Sequence, residues 1–404
     1  MFYRILILLL LLDFLLLCTE CRNRNSYEPV IQVPKTTEAS VINVDSDYRN
    51  PLLLSEIAVK VSHIILDSNP EASFGFVEKI VFFENLIFLS DERNSAAIYC
   101  FDTLGTYQFK ISRKGRGPGE YLDIEDFDID RENRLVLIYD REFGAMLEYD
   151  FTGKFIGKYT FSPVFDSFKS LNDHNILAYT GYAVNPNLPT GQNTLLFSFD
   201  YRDIKSARGY LTFNEELELY KKTIGPISDV SHSGNITYIY EYYANSIYSF
   251  KNGTITKSWS IDYGIRNIPE SFWRNADFLS LQKGIKEGSF AGGLGNFQVV
   301  GKWIVGIYNY KLTRKTFIYN SETGITYSPE VILNDLHSKF PLRTGFPLVM
   351  VPPLHSDGKR IVSVIEPLLI QKLLNQNIPQ YDIPEALAKL DINSNPVLQI
   401  IELK

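Results

Sequence analysis

A glycine-rich stretch, SRKGRGPGEY at residues 112–121, raises the first chemical question, because closely spaced glycines can form a phosphate cradle. Such a cradle works where the loop opens a helix, since the first helical turn presents free N–H groups. Here the Gly-Lys-Ser/Thr ending is missing and the next residues form a β-rich run. The stretch therefore predicts a tight connection, with glycines supplying unusual backbone angles and Pro118 stiffening the passage.

The same stretch also holds the candidate ligand-binding residues. Positive charge in an otherwise acidic chain, followed by groups that hydrogen-bond and stack, suits an anionic or sugar ligand. The candidates are Arg113, Lys114, Arg116, Glu120 and Tyr121. In the alternative interpretation Arg116 and Glu120 pair with neighbouring elements and lock the connection.

A run of alternating acids at residues 123–130, DIEDFDID, resembles a calcium-binding loop. The acids at the loop positions would be Asp126, Asp128 and Asp130, and an EF-hand counted from Asp126 needs Gly at the sixth position and Glu at the twelfth. Arg131 and Leu137 stand at those positions. The run is therefore interpreted as a β-strand, with Phe127 and Ile129 packed on one side and the acids on the other.

A second metal hypothesis comes from acids at the starts of several predicted inner strands. If these strands form a ring, three or four oxygen ligands could converge at its mouth and hold Ca²⁺, as in lactonase-type propellers. The candidate ligands are Glu78, Asp126 with Glu125 as its alternative, Asp166 and Asp229.

The five histidines give no catalytic pattern. None is spaced as a helical metal-binding pair, and a GxSxG motif is absent. His232, in SDVSHSG, is the only histidine beside one of these acids, and turn capping is its simpler interpretation. The sequence therefore predicts no catalytic residue.

An internal repeat predicts the scaffold that positions these residues. Residues 77–111 and 124–161 each show four β-rich runs, with a turn between the third and fourth at DTLG, 102–105, and DFTG, 150–153. Asp and Gly suit a tight hairpin, because Asp bonds back to the backbone and Gly accepts positive φ. Looser copies of the unit cover residues 165–213, 227–261 and 296–332.

A sixth unit near the C-terminus supplies only three strands. The missing strand is available upstream, in IAVKVSHIILD at residues 57–67. Pairing the two ends of the chain closes a ring and removes exposed sheet edges. The sequence thus predicts an all-β, six-bladed β-propeller over residues 56–404, with small helical inserts near 268–284 and 366–391 that pack on the ring or cover its binding face. The glycine-rich stretch then becomes a crossover between blades one and two.

The N-terminus predicts export. Residues 5–17 are almost wholly aliphatic, follow Arg4 and are too short to span a bilayer, which is typical of a signal peptide at 1–17. Cys18 is the expected lipidation site, with Cys21 as the alternative. Residues 18–55 are interpreted as this lipidated cysteine and its tether. The competing interpretation is a secreted protein with two incidental cysteines.

Composition limits the partners. The chain has 404 residues, 45% of them hydrophobic, which is ample for a large core, and a net charge of −7. No basic stripe alternates with aromatics, so nucleic acid is excluded as the expected partner. Cys100 is the only cysteine outside the N-terminal pair and cannot form an internal disulfide. We expect a monomer that meets the membrane through its lipid anchor alone.

The segments KGRGPGEYLDIEDFDID and NPVLQIIELK resemble the six-bladed β-propeller lipoprotein family of Gram-negative envelopes, which is related in architecture to NHL-type propellers. The resemblance covers roughly residues 55–404 and implies an outer-membrane lipoprotein facing the periplasm or the exterior. The expected function is a module that binds a glycan, a peptide or a partner envelope protein at the crossover face. The alternative is a metal-dependent hydrolase or lyase with Ca²⁺ in the central channel.

Overall fold

The strands of the chain are arranged as a six-bladed β-propeller, which confirms the predicted fold. Our computed structural model describes residues 39–44, 51–214, 230–241, 244–269, 271–272, 278–311, 313–329, 331–336, 354–375 and 384–404. The first elements are β1 (Ser40–Asn43), β2 (Leu52–Leu53), the short helix α1 (Leu54–Ile57) and β3 (Ala58–Ile65).

Blades one to three follow the predicted repeat. Blade one consists of β4 (Lys79–Phe83), β5 (Leu86–Asp91), β6 (Ala97–Asp102) and β7 (Tyr107–Ile111). Blade two consists of β8 (Asp126–Asp130), β9 (Leu135–Asp140), β10 (Ala145–Asp150) and β11 (Phe155–Thr160). Blade three consists of β12 (Ser167–Ser170), β13 (Asn175–Tyr179), β14 (Thr194–Asp200) and β15 (Asp203–Thr212).

The remaining blades carry the helices. Blade four contains β16 (Val230–Ser233), β17 (Ile236–Glu241), β18 (Ser246–Lys251) and β19 (Thr254–Asp262), followed by a 3₁₀ turn (Gly264–Arg266) and α2 (Phe278–Glu287). Blade five contains β20 (Gly292–Val300), β21 (Trp303–Tyr310), β22 (Thr313–Asn320) and β23 (Ile325–Tyr327), and β24 (Ile332–Leu333) follows it. Blade six contains β25 (Leu354–Ser356), β26 (Arg360–Ile365) and β27 (Val397–Leu403), with α3 (Pro367–Asn375) and α4 (Glu385–Ala388) between the last two strands.

Asp and Gly close the outer hairpins of blades one and two as the sequence predicts. In blade one the Asp102 carboxylate accepts the N–H groups of Leu104 and Thr106, both at 2.9 Å. Gly105 follows with φ +93°. Because that backbone region is costly for residues with a Cβ, the glycine is required by geometry.

The ring closes through the upstream strand, which confirms the predicted pairing. Strand β3 pairs antiparallel with β27, from Ile65 opposite Val397 to Ala58 opposite Leu403. Side chains of this closing blade and of blade one form a single buried cluster, to which Leu398 and Leu89 both belong. The closure therefore buries apolar surface as well as pairing two strand edges.

The folded part begins upstream of the predicted boundary between residues 55 and 56. Strand β1 lies parallel to β19, with Ser40 opposite Trp259, and adds a further strand to blade four. Ile42 is fully buried there. The predicted tether thus contains a strand whose four residues were too short to show a period. Residues 1–38, with the expected signal peptide, Cys18 and Cys21, lie outside the described part.

Both helical inserts are confirmed, and they pack on the ring. Ile370 of α3 and Leu387 of α4 lie in one buried cluster with Ile365 and Val397 of blade six. Leu281 of α2 is fully buried as well. No helix among the described residues is long and apolar enough to cross a membrane.

Candidate functional site

A cavity of about 610 Å³ opens where the inner strands begin, on the face that the crossovers traverse. Residues of all six blades line it, from Lys79 of blade one to His355 of blade six. The cavity is therefore the mouth of the central channel. It has the size of a pocket for a small molecule.

The floor of the mouth is built on Asp126, which joins three blades. Its Oδ1 accepts a hydrogen bond from Nζ of Lys79 in blade one at 2.8 Å, and its Oδ2 accepts one from the N–H of Phe168 in blade three at 2.8 Å. Burial lowers the pKa of Lys79, but attraction to Asp126 and Asp128 outweighs it and leaves this pKa raised. Lys79 is therefore charged at neutral pH.

Asp128 lies two residues after Asp126 on β8 and makes the same kind of contacts deeper in the channel. Its carboxylate lies 2.9 Å from Nζ of Lys169 and accepts the N–H of Ser170 at 2.8 Å. The side chain is 1% exposed. Burial alone would raise the pKa of Asp128, but attraction to Lys169 and Lys79 holds it well below its usual range. Two buried ion pairs thus hold blades one, two and three around the channel.

The rim carries a third set of ion pairs. Arg141 lies 2.7 Å from a carboxylate oxygen of Glu125 and 3.4 Å from one of Asp166, which joins blades two and three. Arg93 lies 3.3 Å from Glu78 in blade one. Each of these three rim acids therefore lies at ion-pair distance from an arginine.

Glu92 differs from the other acids because no cation lies beside it at ion-pair distance in the described structure. Its carboxyl group accepts a hydrogen bond from the Ser90 hydroxyl at 2.9 Å, and its N–H donates to Glu78 at 3.0 Å. Burial, followed by repulsion from Asp126, raises the pKa of Glu92 to about 8. At neutral pH it is therefore mostly a neutral acid that can donate a proton in a hydrogen bond.

Two histidines face the same cavity as neutral rings. Nδ1 of His232 lies 3.2 Å from the hydroxyl of Thr237, and burial, together with the charges of Lys169 and Lys79, holds its pKa well below the usual value. His355 is 8% exposed, and burial lowers its pKa to about 4. Sequence reasoning missed His355, and the signal that could have found it was its place on the first strand of blade six.

The family model described as "Domain of unknown function (DUF4934)" matches residues 39–402. The chain belongs to this family. Among solved structures it is similar to the "Putative exported protein (BF0058)" of Bacteroides fragilis NCTC 9343, with 17% identity, a TM-score of 0.73, and 90% of this chain and 100% of that chain covered. A DUF4221 family member from Bacteroides vulgatus ATCC 8482 shares 13% identity over 86% of this chain and 97% of that chain, with a TM-score of 0.48. No curated protein matches the sequence.

In this DUF4934 chain the glycine-rich crossover folds on itself. Gly115 donates its N–H to the carbonyl of Tyr121 at 2.9 Å, and Glu120 accepts the N–H of Gly117 at 2.7 Å. Tyr121 is fully buried. Its ring therefore offers no stacking surface, and the Glu120 carboxylate is used inside the loop.

The three cations of the crossover behave differently from Glu120 and Tyr121. Arg113, Lys114 and Arg116 are exposed to solvent, and they lie outside the lining of the channel mouth. The crossover and the mouth share one face of the DUF4934 propeller, but they form separate surfaces.

Removing the hydroxyl of Tyr121 is expected to destabilise the DUF4934 fold without touching the cavity. That hydroxyl donates to the carbonyl of Ala96 at 2.7 Å and lies 3.1 Å from the carbonyl of Ile111. Tyr121→Phe leaves a buried carbonyl without a donor, so we expect a loss of about 1–3 kcal/mol in the free energy of unfolding, measured by urea denaturation.

The control for Tyr121→Phe removes two of the three exposed cations, as Lys114→Ala with Arg116→Ala. This double variant is expected to change stability by no more than about 0.5 kcal/mol. If it costs as much as Tyr121→Phe, the cations lock the crossover and the loop has a different structural basis.

The four proposed calcium ligands fall into different environments. Asp126 is bound to the Lys79 ammonium, which occupies the position beside its carboxylate. Glu78 and Asp166 stand in the rim ion pairs with Arg93 and Arg141. Asp229 lies outside the described residues. Within the described part of the chain, no three His, Cys, Asp or Glu side chains are close enough together to hold a metal ion.

Proposed function

We propose that this DUF4934 chain is an exported β-propeller that binds a ligand in the mouth of its central channel and carries out no reaction on it. The observation that carries the proposal is the cavity of about 610 Å³ lined by all six blades. Pre-formed concave sites with a few convergent polar groups are where proteins bind small ligands. The glycan or peptide expected at the crossover face would enter here.

A calcium-dependent hydrolase or lyase needs several free carboxylates at one point. In the described channel the inner acids Asp126 and Asp128 are bound to lysines, and Glu125 is bound to Arg141. The ion pairs make a rigid floor with fixed charges, which suits recognition of a shape. We therefore give the binding function preference over catalysis.

The proposal includes the cellular location. It rests on the aliphatic run at residues 5–17 and on Cys18 or Cys21 as the lipid attachment point. The similarity in fold to the exported protein of Bacteroides fragilis agrees with this location. Metabolic labelling with a radioactive fatty acid tests it, because Cys18→Ser or Cys21→Ser abolishes labelling if that cysteine is acylated.

Blocking the mouth is expected to abolish binding. Ser167 lines the cavity and is half-buried, so Ser167→Trp places an indole ring inside the space. The probes are uncharged sugars, amines and carboxylic acids, screened by ligand-observed NMR with the wild-type chain. We expect binders with Kd below about 1 mM to weaken at least tenfold in Ser167→Trp.

The matched control is Ser112→Trp, since Ser112 is exposed on the crossover and away from the cavity lining. It should bind like the wild type. Equal binding by wild type and Ser167→Trp, or an absence of binders in all three probe classes, would contradict the proposed function.

A further inference from the structure

The channel mouth is polar but electrically balanced. Lys79 offsets Asp126, Lys169 offsets Asp128, and Arg141 stands between Glu125 and Asp166. Arg93 offsets Glu78, and Arg314 of blade five adds a fifth cation at the mouth, so these five carboxylates are matched by five cations. A charged ligand would have to compete with these internal ion pairs, because the groups of opposite charge in the mouth already have partners. The balance therefore favours an uncharged ligand.

The polar groups of the mouth include both donors and acceptors. Asn296 and Gln298 of blade five supply amides, and Ser231 supplies a hydroxyl that donates to the Gln298 side-chain oxygen at 3.3 Å. Carboxylates and neutral imidazoles add further acceptors. Hydroxyl groups both donate and accept, so a ligand rich in hydroxyls can match a mixed lining that an ammonium or a carboxylate cannot.

His355 gives independent support for a ligand. It lines the cavity, only 8% of it is exposed, and its Nε2 has no hydrogen-bond partner in the described structure. A buried polar atom without a partner costs about 1–3 kcal/mol. Each such atom in a native structure calls for an explanation, and a ligand or an ordered water bound in the cavity supplies one.

The rim adds an apolar surface. The Phe76 ring is 51% exposed and lines the mouth beside Glu78. Its exposure is unusual for a phenylalanine in a chain whose large aromatic side chains are mostly buried. An exposed ring next to hydrogen-bonding groups can stack on the C–H face of a sugar ring.

We infer that the ligand is an uncharged, polyhydroxylated molecule of the sugar class, held between Phe76 at the rim and His355 deeper in the mouth. This inference rests on the proposed function and names the chemistry of its ligand. Glycan ends and free sugars share that chemistry, and the size of the cavity admits one or two sugar rings.

The test measures binding by isothermal titration calorimetry at pH 7 with the full mature chain. The probes are methyl glycosides of glucose, galactose, mannose and N-acetylglucosamine, cellobiose and lactose, with glucuronate and glucosamine as charged analogues. We expect at least one uncharged probe to bind with Kd below about 1 mM, and its charged analogue to bind at least tenfold more weakly.

His355→Leu separates a ligand contact from a structural role. Because Nε2 makes no hydrogen bond within the described chain, the apolar replacement should leave the melting temperature unchanged or higher. Binding of the sugar should weaken at least tenfold. Phe76→Ala should also weaken binding, whereas Ile156→Ala, at a residue with matched exposure on β11, should not.

The pH dependence of sugar binding tests the role of Glu92. The groups that face its carboxyl are Glu78, Lys79, Asp126 and the Ser90 hydroxyl. Loss of its proton above pH 8 removes a donor and adds an unmatched charge. We therefore expect sugar affinity to fall about tenfold between pH 7 and pH 9, and Glu92→Gln to flatten that fall.

The outcomes separate the two proposals. If an amine or a carboxylic acid binds in the mouth and no uncharged sugar does, the sugar inference is wrong and the proposed function stands. If no probe of any class binds, both are wrong. If a sugar binds equally well to wild type, His355→Leu and Phe76→Ala, the sugar site lies elsewhere and the inference is overturned.

Discussion

Replacing Gly105 with alanine is expected to destabilise the propeller by about 3–4 kcal/mol. Gly105 has φ +93°, and a Cβ built on it would lie 2.0 Å from the carbonyl oxygen of Ile65. That carbonyl belongs to β3, the strand that closes the ring, and it cannot move without disturbing the pairing with β27. The measurement is the free energy of unfolding from chemical denaturation.

Gly253→Ala is the matched control for this change. Gly253 lies in the equivalent outer hairpin of blade four with φ +71°, and no atom lies within 4 Å of the position of its Cβ. Gly253→Ala therefore carries only the cost of placing an alanine at positive φ, which is about 1 kcal/mol. Equal losses for the two variants would show that the contact with Ile65 is not what makes Gly105 necessary.

The second large effect is expected for Asp128→Asn. The substitution leaves the ammonium of Lys169 buried without its counter-charge, and breaking a buried pair in this way costs about 3–5 kcal/mol. A double variant, Asp128→Leu with Lys169→Met, removes both charges and should recover most of the loss. A double variant as unstable as the single one would mean that the hydrogen bond to Ser170, and not the charge of Lys169, is what Asp128 contributes.

The same pair predicts how stability depends on pH. The pKa of Asp128 is lower in the folded chain than in the unfolded one, where it is about 3.9, so the unfolded state binds the proton first. The pair therefore contributes its full stabilisation above about pH 5 and loses it progressively as the pH falls below about 4. The free energy of unfolding of the variant Asp128→Leu with Lys169→Met should fall less steeply with decreasing pH than that of the wild type.

The fold was predictable because its signals are local and repeated. An Asp-and-Gly turn such as 102–105 specifies an outer hairpin from a few residues, and the four runs around it specify a blade. Counting blades then shows that one strand is missing, which points to residues 57–67. Strand β1 could not be found in this way, since four residues carry too little periodicity to separate a strand from a linker.

The site was only partly predictable, because its residues meet across blades. Lys79 and Asp126 belong to different repeats, and their contact depends on how neighbouring inner strands stand in the ring. The sequence pattern showed acids at the starts of strands but could not show that lysine and arginine side chains neutralise them. Tyr121 illustrates the same limit, since its type suggested a binding surface and its burial is decided by packing under the crossover.

Strand β1 has a mechanical consequence. Because it precedes β2 and β3 along the chain and pairs with blade four, a pull on the N-terminal side loads the four residue pairs of β1 and β19 first. The two-residue pairing of β2 with β24 is loaded next, and the longer pairing of β3 with β27 carries force only after both have separated. Under tension applied from the N-terminus, β1 therefore separates from blade four before the strand pairing that closes the ring is broken.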